Sequence, residues 1–248
     1  MRKIIVANRK GGTGKSTTSV HLAAGLAKVG SSVLLIDTDA QGNCSKMLGQ
    51  EPISGLSELI EKSVSPEEAI IEARPNLSLL SGSHRLAGTT RIIAREDFDS
   101  QYVLTKALEP YEGKYDFVVL DTAPGYSPMS VNVLFYGNEI LVPINMEVLS
   151  VQGFIDFMGE LEPVRERAGV AICYVLPTMA DGRKGLTAEI IAQLETRFPA
   201  QVCEPIHYAA RMSEIPRKGV TIYEEDDSAR PAVDYAKLTR RILKDGKT

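Results

Sequence analysis

Lys3-Ile4-Ile5-Val6-Ala7-Asn8-Arg9-Lys10-Gly11-Gly12-Thr13-Gly14-Lys15-Ser16-Thr17 is the stretch that decides the fold of this chain. A short apolar run of strand-forming residues gives way to a glycine-rich turn, and a helical pattern dense in Ala and Leu follows over 19–28. Strand, glycine loop and helix in that order are the context expected of a phosphate-binding loop. Gly11, Gly12 and Gly14, with Thr13 between them, let the backbone curl so that several N–H groups point into one concavity. The helix beginning near Lys15 adds its positive dipole end to the same spot. Lys15 is expected to reach the β- and γ-phosphates of a nucleotide and Ser16 to hold Mg²⁺ through its hydroxyl, with Thr17 counted among the nucleotide-binding residues. A plain glycine turn would not require Gly-Lys-Ser in register behind it.

Two further stretches end where that loop ends. Ser32-Val33-Leu34-Leu35-Ile36-Asp37 reads as a buried strand closing on an acid, followed by Thr38-Asp39-Ala40-Gln41-Gly42-Asn43. Tyr115-Asp116-Phe117-Val118-Val119-Leu120-Asp121 has the same form, that of a Walker B strand. In an open parallel sheet, ligands sit beyond the carboxyl ends of the strands, so Asp37, Asp39 and Asp121 are expected beside the glycine loop. Asp121 would hold Mg²⁺, directly or through water, opposite Ser16. An acidic pair after a strand also commonly caps a helix.

Other strands are expected at 76–80, 140–144, 171–178 and 202–206. Surface helices are expected over 51–75, where Leu56, Leu59 and Ile60 recur at helical spacing and Ser65-Pro66-Glu67-Glu68 is a start signal. A long helical pattern runs over 86–108, its Arg85, Arg91, Arg95 and Glu96 reading as a solvated face; shorter helices are expected over 132–137, 208–218 and 234–244. The expected fold is α/β: a P-loop NTPase with a mostly parallel twisted sheet and helices on both faces, as one domain over 1–248.

A chain of 248 residues can bury a sizeable core. Its net charge of −4 gives no global pull toward nucleic acid or anionic membrane, so binding of either must come from a local patch. Cys44, Cys173 and Cys203 lack metal-binding spacing and read as reduced thiols of a cytosolic protein. No signal peptide or membrane-length apolar run is evident, and the first strand begins almost at Met1, leaving no room for an N-terminal DNA-reading domain.

The loop departs from the general pattern at Arg9, where Gly is usual, and at Lys10, a second lysine ahead of the glycines. It resembles the deviant Walker A loop, K-G-G-x-G-K-S/T, of the ParA/MinD group of ATPases. The stretch around Asp39 is similar to that family's D-x-D-P-Q-G-N segment, with Ala40 replacing Pro. Thr122-Ala123-Pro124-Gly125 resembles its switch II, and 145–153 its segment after the following strand. The resemblance implies ATP and Mg²⁺ as cofactors and catalytic roles for Lys10, Lys15 and Asp39. Lys10 would contact phosphate across a dimer interface, and Asp39 would orient the attacking water. Adenine would lie near Thr178, Pro205 and Ile206. The chain would be slow as a monomer, dimerise with ATP, bind non-specific DNA and be stimulated by a ParB-like or other adaptor, partitioning or positioning a cargo in the nucleoid-associated cytoplasm. Candidate DNA contacts are Arg211, Arg217, Lys218, Arg240, Arg241 and Lys244.

Three alternatives share the fold. A MinD-like ATPase would use its last helix as a membrane anchor; Tyr235, Ala236, Ile242 and Leu243 do share one side of it, but packing on the core is the preferred account. An iron-protein reductase needs cysteines near the switch regions, and none lies between Cys44 and Cys173. A metabolic P-loop ligase would turn over rapidly without partners, and Lys10 argues against it.

Overall fold

β-branched and leucine-rich runs form the centre of the molecule because they can be buried on both faces at once. The computed structural model describes residues 1–94 and 99–246, with the side chains of 148–150 excepted; Arg95 and Glu96 lie outside the described residues. The first half runs β1 (Arg2–Val6), α1 (Lys15–Lys28), β2 (Val33–Asp37), α2 (Asn43–Met47), α3 (Leu56–Ile60) and α4 (Pro66–Ala69). Then come β3 (Ile70–Arg74), β4 (Leu77–Leu80), α5 (Leu86–Ile93), α6 (Val103–Leu108) and β5 (Phe117–Asp121). The second half holds α7 (Pro128–Tyr136), β6 (Glu139–Asn145), α8 (Val148–Ala168), β7 (Ala171–Thr178), α9 (Gly185–Arg197), α10 (Ile215–Lys218), α11 (Ile222–Asp226) and α12 (Arg230–Asp245).

The seven strands form one sheet in the order β3-β4-β2-β5-β1-β6-β7, parallel throughout except for the antiparallel edge pair β3–β4. Successive strand residues face opposite ways. Ile4, Val6, Val33, Leu35 and Val119 pack with α1, α2 and α12 on one face, while Ile5, Leu34, Ile36, Val118 and Leu120 pack with α3 and α5–α9 on the other. The chain leaves β1 in one direction to build β2, β4 and β3 and later returns to build β6 and β7. The strand order therefore reverses next to β1, and ligands in such sheets bind at that reversal.

Four expectations need correcting. Residues 70–74 are a strand rather than helix, because α4 lasts only four residues: the Ser65 cap and Glu68 close its first turn, and Ile70 and Ile71 then pair with β4. α3 is less superficial than expected, since Ser57 and Glu58 are buried along with Leu56 and Leu59, whereas α4 buries only Ala69. Residues 202–206 form no strand; Val202 makes only an isolated bridge to Val175. The pattern over 86–108 is two helices among the described residues; Arg85 and Arg91 are exposed, and Arg85 also lies 3.1 Å from Glu58. The 208–218 helix is a 3-10 turn (Ala210–Ser213) followed by α10.

α12 lies on α1 with Tyr235, Leu238 and Ile242 buried, so its apolar side is occupied by the core. Among the described residues no helix is long and apolar enough to cross a membrane.

Candidate nucleotide-binding site

The glycine loop joins β1 to α1. Gly12 and Gly14 have φ of 72° and 86°, a region that side-chain-bearing residues avoid, and Gly14 directly precedes the first residue of α1. Asn8 anchors the loop from below: its Nδ2 donates to Pro143 O at 2.7 Å, and its Oδ1 accepts from Lys10 N at 3.0 Å. Thr178 Oγ1, at the end of β7, donates to Thr13 O at 2.9 Å. Gly125 N donates to Arg9 O at 3.2 Å, which ties the 122–125 segment to the loop's entrance.

Lys15 is buried, and its Nζ donates to Lys10 O at 3.1 Å, so the ammonium crosses the inside of the loop. Burial lowers its pKa, while Asp121 and Asp39 act in the opposite direction. Arg9 pairs with Glu160 and Lys10 with Glu147, the latter at 2.6 Å.

Asp37 and Asp121 are register partners at the ends of adjacent strands, both fully buried. Burial pushes both carboxyls well above the ordinary carboxylate range; Asp121 raises Asp37 further, and hydrogen bonds from Ser16, Ser19 and Cys44 hold Asp121 back. Ser19 Oγ donates to Asp121 Oδ1 at 2.9 Å, and Cys44 Sγ lies 3.4 Å from its Oδ2. Asp37, Cys44 and Asp121 bring their ligand atoms within 4.8 Å of one another. Two buried acids facing a loop serine are hard oxygen donors whose mutual repulsion a divalent cation would relieve, so the residues present fit Mg²⁺.

The two acids after β2 divide their work. Asp37 accepts from Asp39 N and Cys44 N, both at 2.9 Å, and so holds the first turn of α2. Asp39 is buried, and its Oδ1 accepts from Gln41 N at 2.9 Å. Beyond the acids, α2 ends against the C-terminal part of the chain. A Cβ on Gly219 would stand 2.6 Å from Gly49 Cα, so main chain meets main chain there. Arg74 braces the contact, donating from Nη2 to Gly219 O at 2.9 Å and from Nη1 to Leu48 O at 3.2 Å.

A cavity of about 240 Å³ opens beside the loop, lined by Gly14, Thr17, Thr178, Ile206, Tyr208 and Tyr235 among others. Thr178 and Ile206 line this cavity, and Pro205 is not among the lining residues. The basic candidates fall into two groups. Arg211, Arg217 and Lys218 lie at the 3-10 turn and α10, with Arg211 and Lys218 each 2.6 Å from an acid, Asp226 and Glu225. Arg240, Arg241 and Lys244 lie on α12, where Arg241 is turned toward main-chain carbonyls of Val202 and Ala200. Sequence reasoning missed Cys44, Ser19 and Glu147. For Ser19 a signal existed, since a residue one helical turn beyond Lys15 on a P-loop helix faces the same strand end.

A family model described as an AAA domain matches residues 1–172. The chromosome-partitioning ATPase Soj of Thermus thermophilus is 33% identical over 98% of this chain and 96% of its own length. A crystal structure of cobyrinic acid a,c-diamide synthase from Mycobacterium smegmatis, with bound ATP analogue and magnesium, is 25% identical with a TM-score of 0.85, covering 100% of this chain and 96% of that one. An ATP complex of Cyanothece McdA is 22% identical with a TM-score of 0.86, over 98% of this chain and 96% of that one, a likeness of fold.

Proposed function

The chain belongs to the ParA/Soj family of deviant Walker A ATPases, and from that premise we propose that it is an ATP-driven dimerisation switch that partitions or positions a cargo. The observation that carries the reading is the convergence of Lys15, Ser16, Asp39 and Asp121 around one glycine loop at the point where the strand order reverses. In this reading the loop N–H groups from Gly11 to Thr17 and the Lys15 ammonium hold the phosphates, and Ser16 and Asp121 hold Mg²⁺. Thr178, Pro205 and Ile206 lie near the adenine. Bound Mg²⁺ neutralises charge on the phosphates. Phosphoryl transfer needs little from a protein beyond positioning and charge stabilisation. Asp39 orients water, and Lys10 supplies a cation to the nucleotide of a second copy.

A slow ATPase that is completed by a partner copy separates two states, an ATP dimer and free monomers. Non-specific DNA is the surface the dimer would hold, through a local patch that its symmetry doubles, and a ParB-like or other adaptor would stimulate hydrolysis on the nucleoid. The small-molecule ligase reading draws on the likeness to the diamide synthase. One experiment separates the two: ATP turnover measured alone, with random duplex DNA, and with a carboxylic acid substrate plus an amine donor. Slow turnover raised by DNA or by a partner from the host supports the switch; fast turnover that depends on the acid and amine overturns it.

A further inference from the structure

One wall of the cavity beside Gly14 has no regular structure: residues 203–209 run from the bridge at Val202 to the 3-10 turn Ala210–Ser213. The wall is held on two sides. Toward the sheet, Ile206 N donates to Pro177 O at 2.9 Å, and Tyr208 N donates to Ala180 O at 3.0 Å. Toward α12, Lys237 pairs with Glu204, and Asp234 Oδ2 accepts from His207 N at 3.0 Å and lies 2.8 Å from His207 Nδ1.

Asp234 is only 3% exposed. A buried carboxylate is costly unless its oxygens are hydrogen-bonded. Here they are, because Arg230 Nε reaches Asp234 Oδ1 at 3.2 Å. The same guanidinium places Nη2 3.2 Å from His207 Nε2. Its Nε lies 3.3 Å from His207 Nδ1 as well, so the guanidinium lies against both ring nitrogens. The ring is thus held between Asp234 and Arg230. The main chain of His207 is pinned by the carboxylate that pins its side chain. Mere attachment of α12 to the core does not require this arrangement, since Tyr235, Leu238 and Ile242 already supply apolar burial.

We propose that Asp234 is a positioning residue for the nucleotide: acting through His207, it fixes the wall at 205–209 against which the base lies. The inference rests on the nucleotide reading above. It deepens that reading by assigning base affinity to a contact on the opposite end of the chain from the phosphate loop.

The test compares ATP with inorganic tripolyphosphate, which offers the same phosphates without a base, in equilibrium binding with Mg²⁺. Asp234→Asn is expected to weaken ATP about tenfold, the scale of a lost charge-assisted hydrogen bond, and to leave tripolyphosphate unchanged. His207→Leu should reproduce that selective loss. His207→Asn, whose side-chain amide can donate to Asp234 Oδ2, should restore most of the ATP affinity. Equal weakening of both ligands, or unchanged ATP affinity in Asp234→Asn and His207→Leu, overturns the proposal. Wild-type protein that binds neither ligand overturns the nucleotide reading itself and this proposal with it.

Discussion

The Lys10 ammonium lies 2.6 Å from Glu147 Oε2 of its own chain, and the bond holds the Glu147 carboxyl below its ordinary range. Both side chains are exposed, and such a pair contributes little to stability, so exchanging Glu147 for a phosphate is easy. Lys10→Ala should therefore leave the melting temperature nearly unchanged while weakening ATP-dependent dimerisation by about tenfold or more. Sedimentation velocity with and without ATP measures this. Unaltered dimerisation would remove Lys10 from the interface.

Lys15 and Asp39 should separate binding from hydrolysis. Lys15→Ala removes the ammonium inside the loop and should abolish Mg-ATP binding. Asp39→Ala should bind ATP normally, hydrolyse it at least about a hundredfold more slowly and accumulate as the ATP dimer, because only the water-orienting group is lost. Calorimetry and phosphate release are the measurements; normal turnover in Asp39→Ala would contradict its role.

His21 gives a pH dependence independent of nucleotide. It is fully buried, its ring stacks on Tyr235 with centroids 5.1 Å apart, and burial lowers its pKa from 6.5 to about 4. Between those values the unfolded chain binds more protons than the folded one, so this contribution to stability is lost as pH falls below 6.5 and levels off below about 4. By pH 5 the loss should be about 2 kcal/mol. Asp37 and Asp121, raised by burial, act in the opposite sense and favour the folded state as pH falls. The measurement is thus a difference: urea unfolding at pH 7 and pH 5 for wild type and His21→Phe, with the variant losing less. Equal losses would show that His21 is not the group responsible.

The basic residues of α10 are predicted to contact DNA phosphates in the ATP dimer. Arg217→Ala with Lys218→Ala should lower affinity for random duplex and flatten the dependence of log affinity on log salt by roughly one to two. Dimerisation by ATP should survive. Fluorescence anisotropy at several salt concentrations, ATP against ADP, checks this, and an unchanged slope would clear α10 of the role.

Much of the fold was legible because buried parallel strands announce themselves. Ile36-Asp37 and Leu120-Asp121 each read as an apolar run closing on an acid, and the structure sets those acids in register. What was not legible has physical reasons. α8 carries Gly153, Gly159 and Pro163 inside its 21 residues, breakers that conceal a helix held by tertiary packing. α9 did carry a signal, with Thr187, Ile190 and Leu194 buried at helical spacing. At the site, the acidic string pointed to Asp39, but that Asp37 holds α2 while lying beside Asp121 depends on strand register. The meeting of His207 with Asp234 depends on how α12 returns to β7, which no local pattern encodes.

The approach of Gly49 to Gly219 bears on how such a chain can be recombined. Each occupies the space that the other's side chain would need, so a side chain at either position demands a change at the other although 170 residues separate them. A graft that replaced the last third of the chain with that of a relative would have to carry a glycine to 219 or reshape the turn at 49. The natural seam for exchange therefore does not fall between the acidic loop and the basic helix; those two segments travel together.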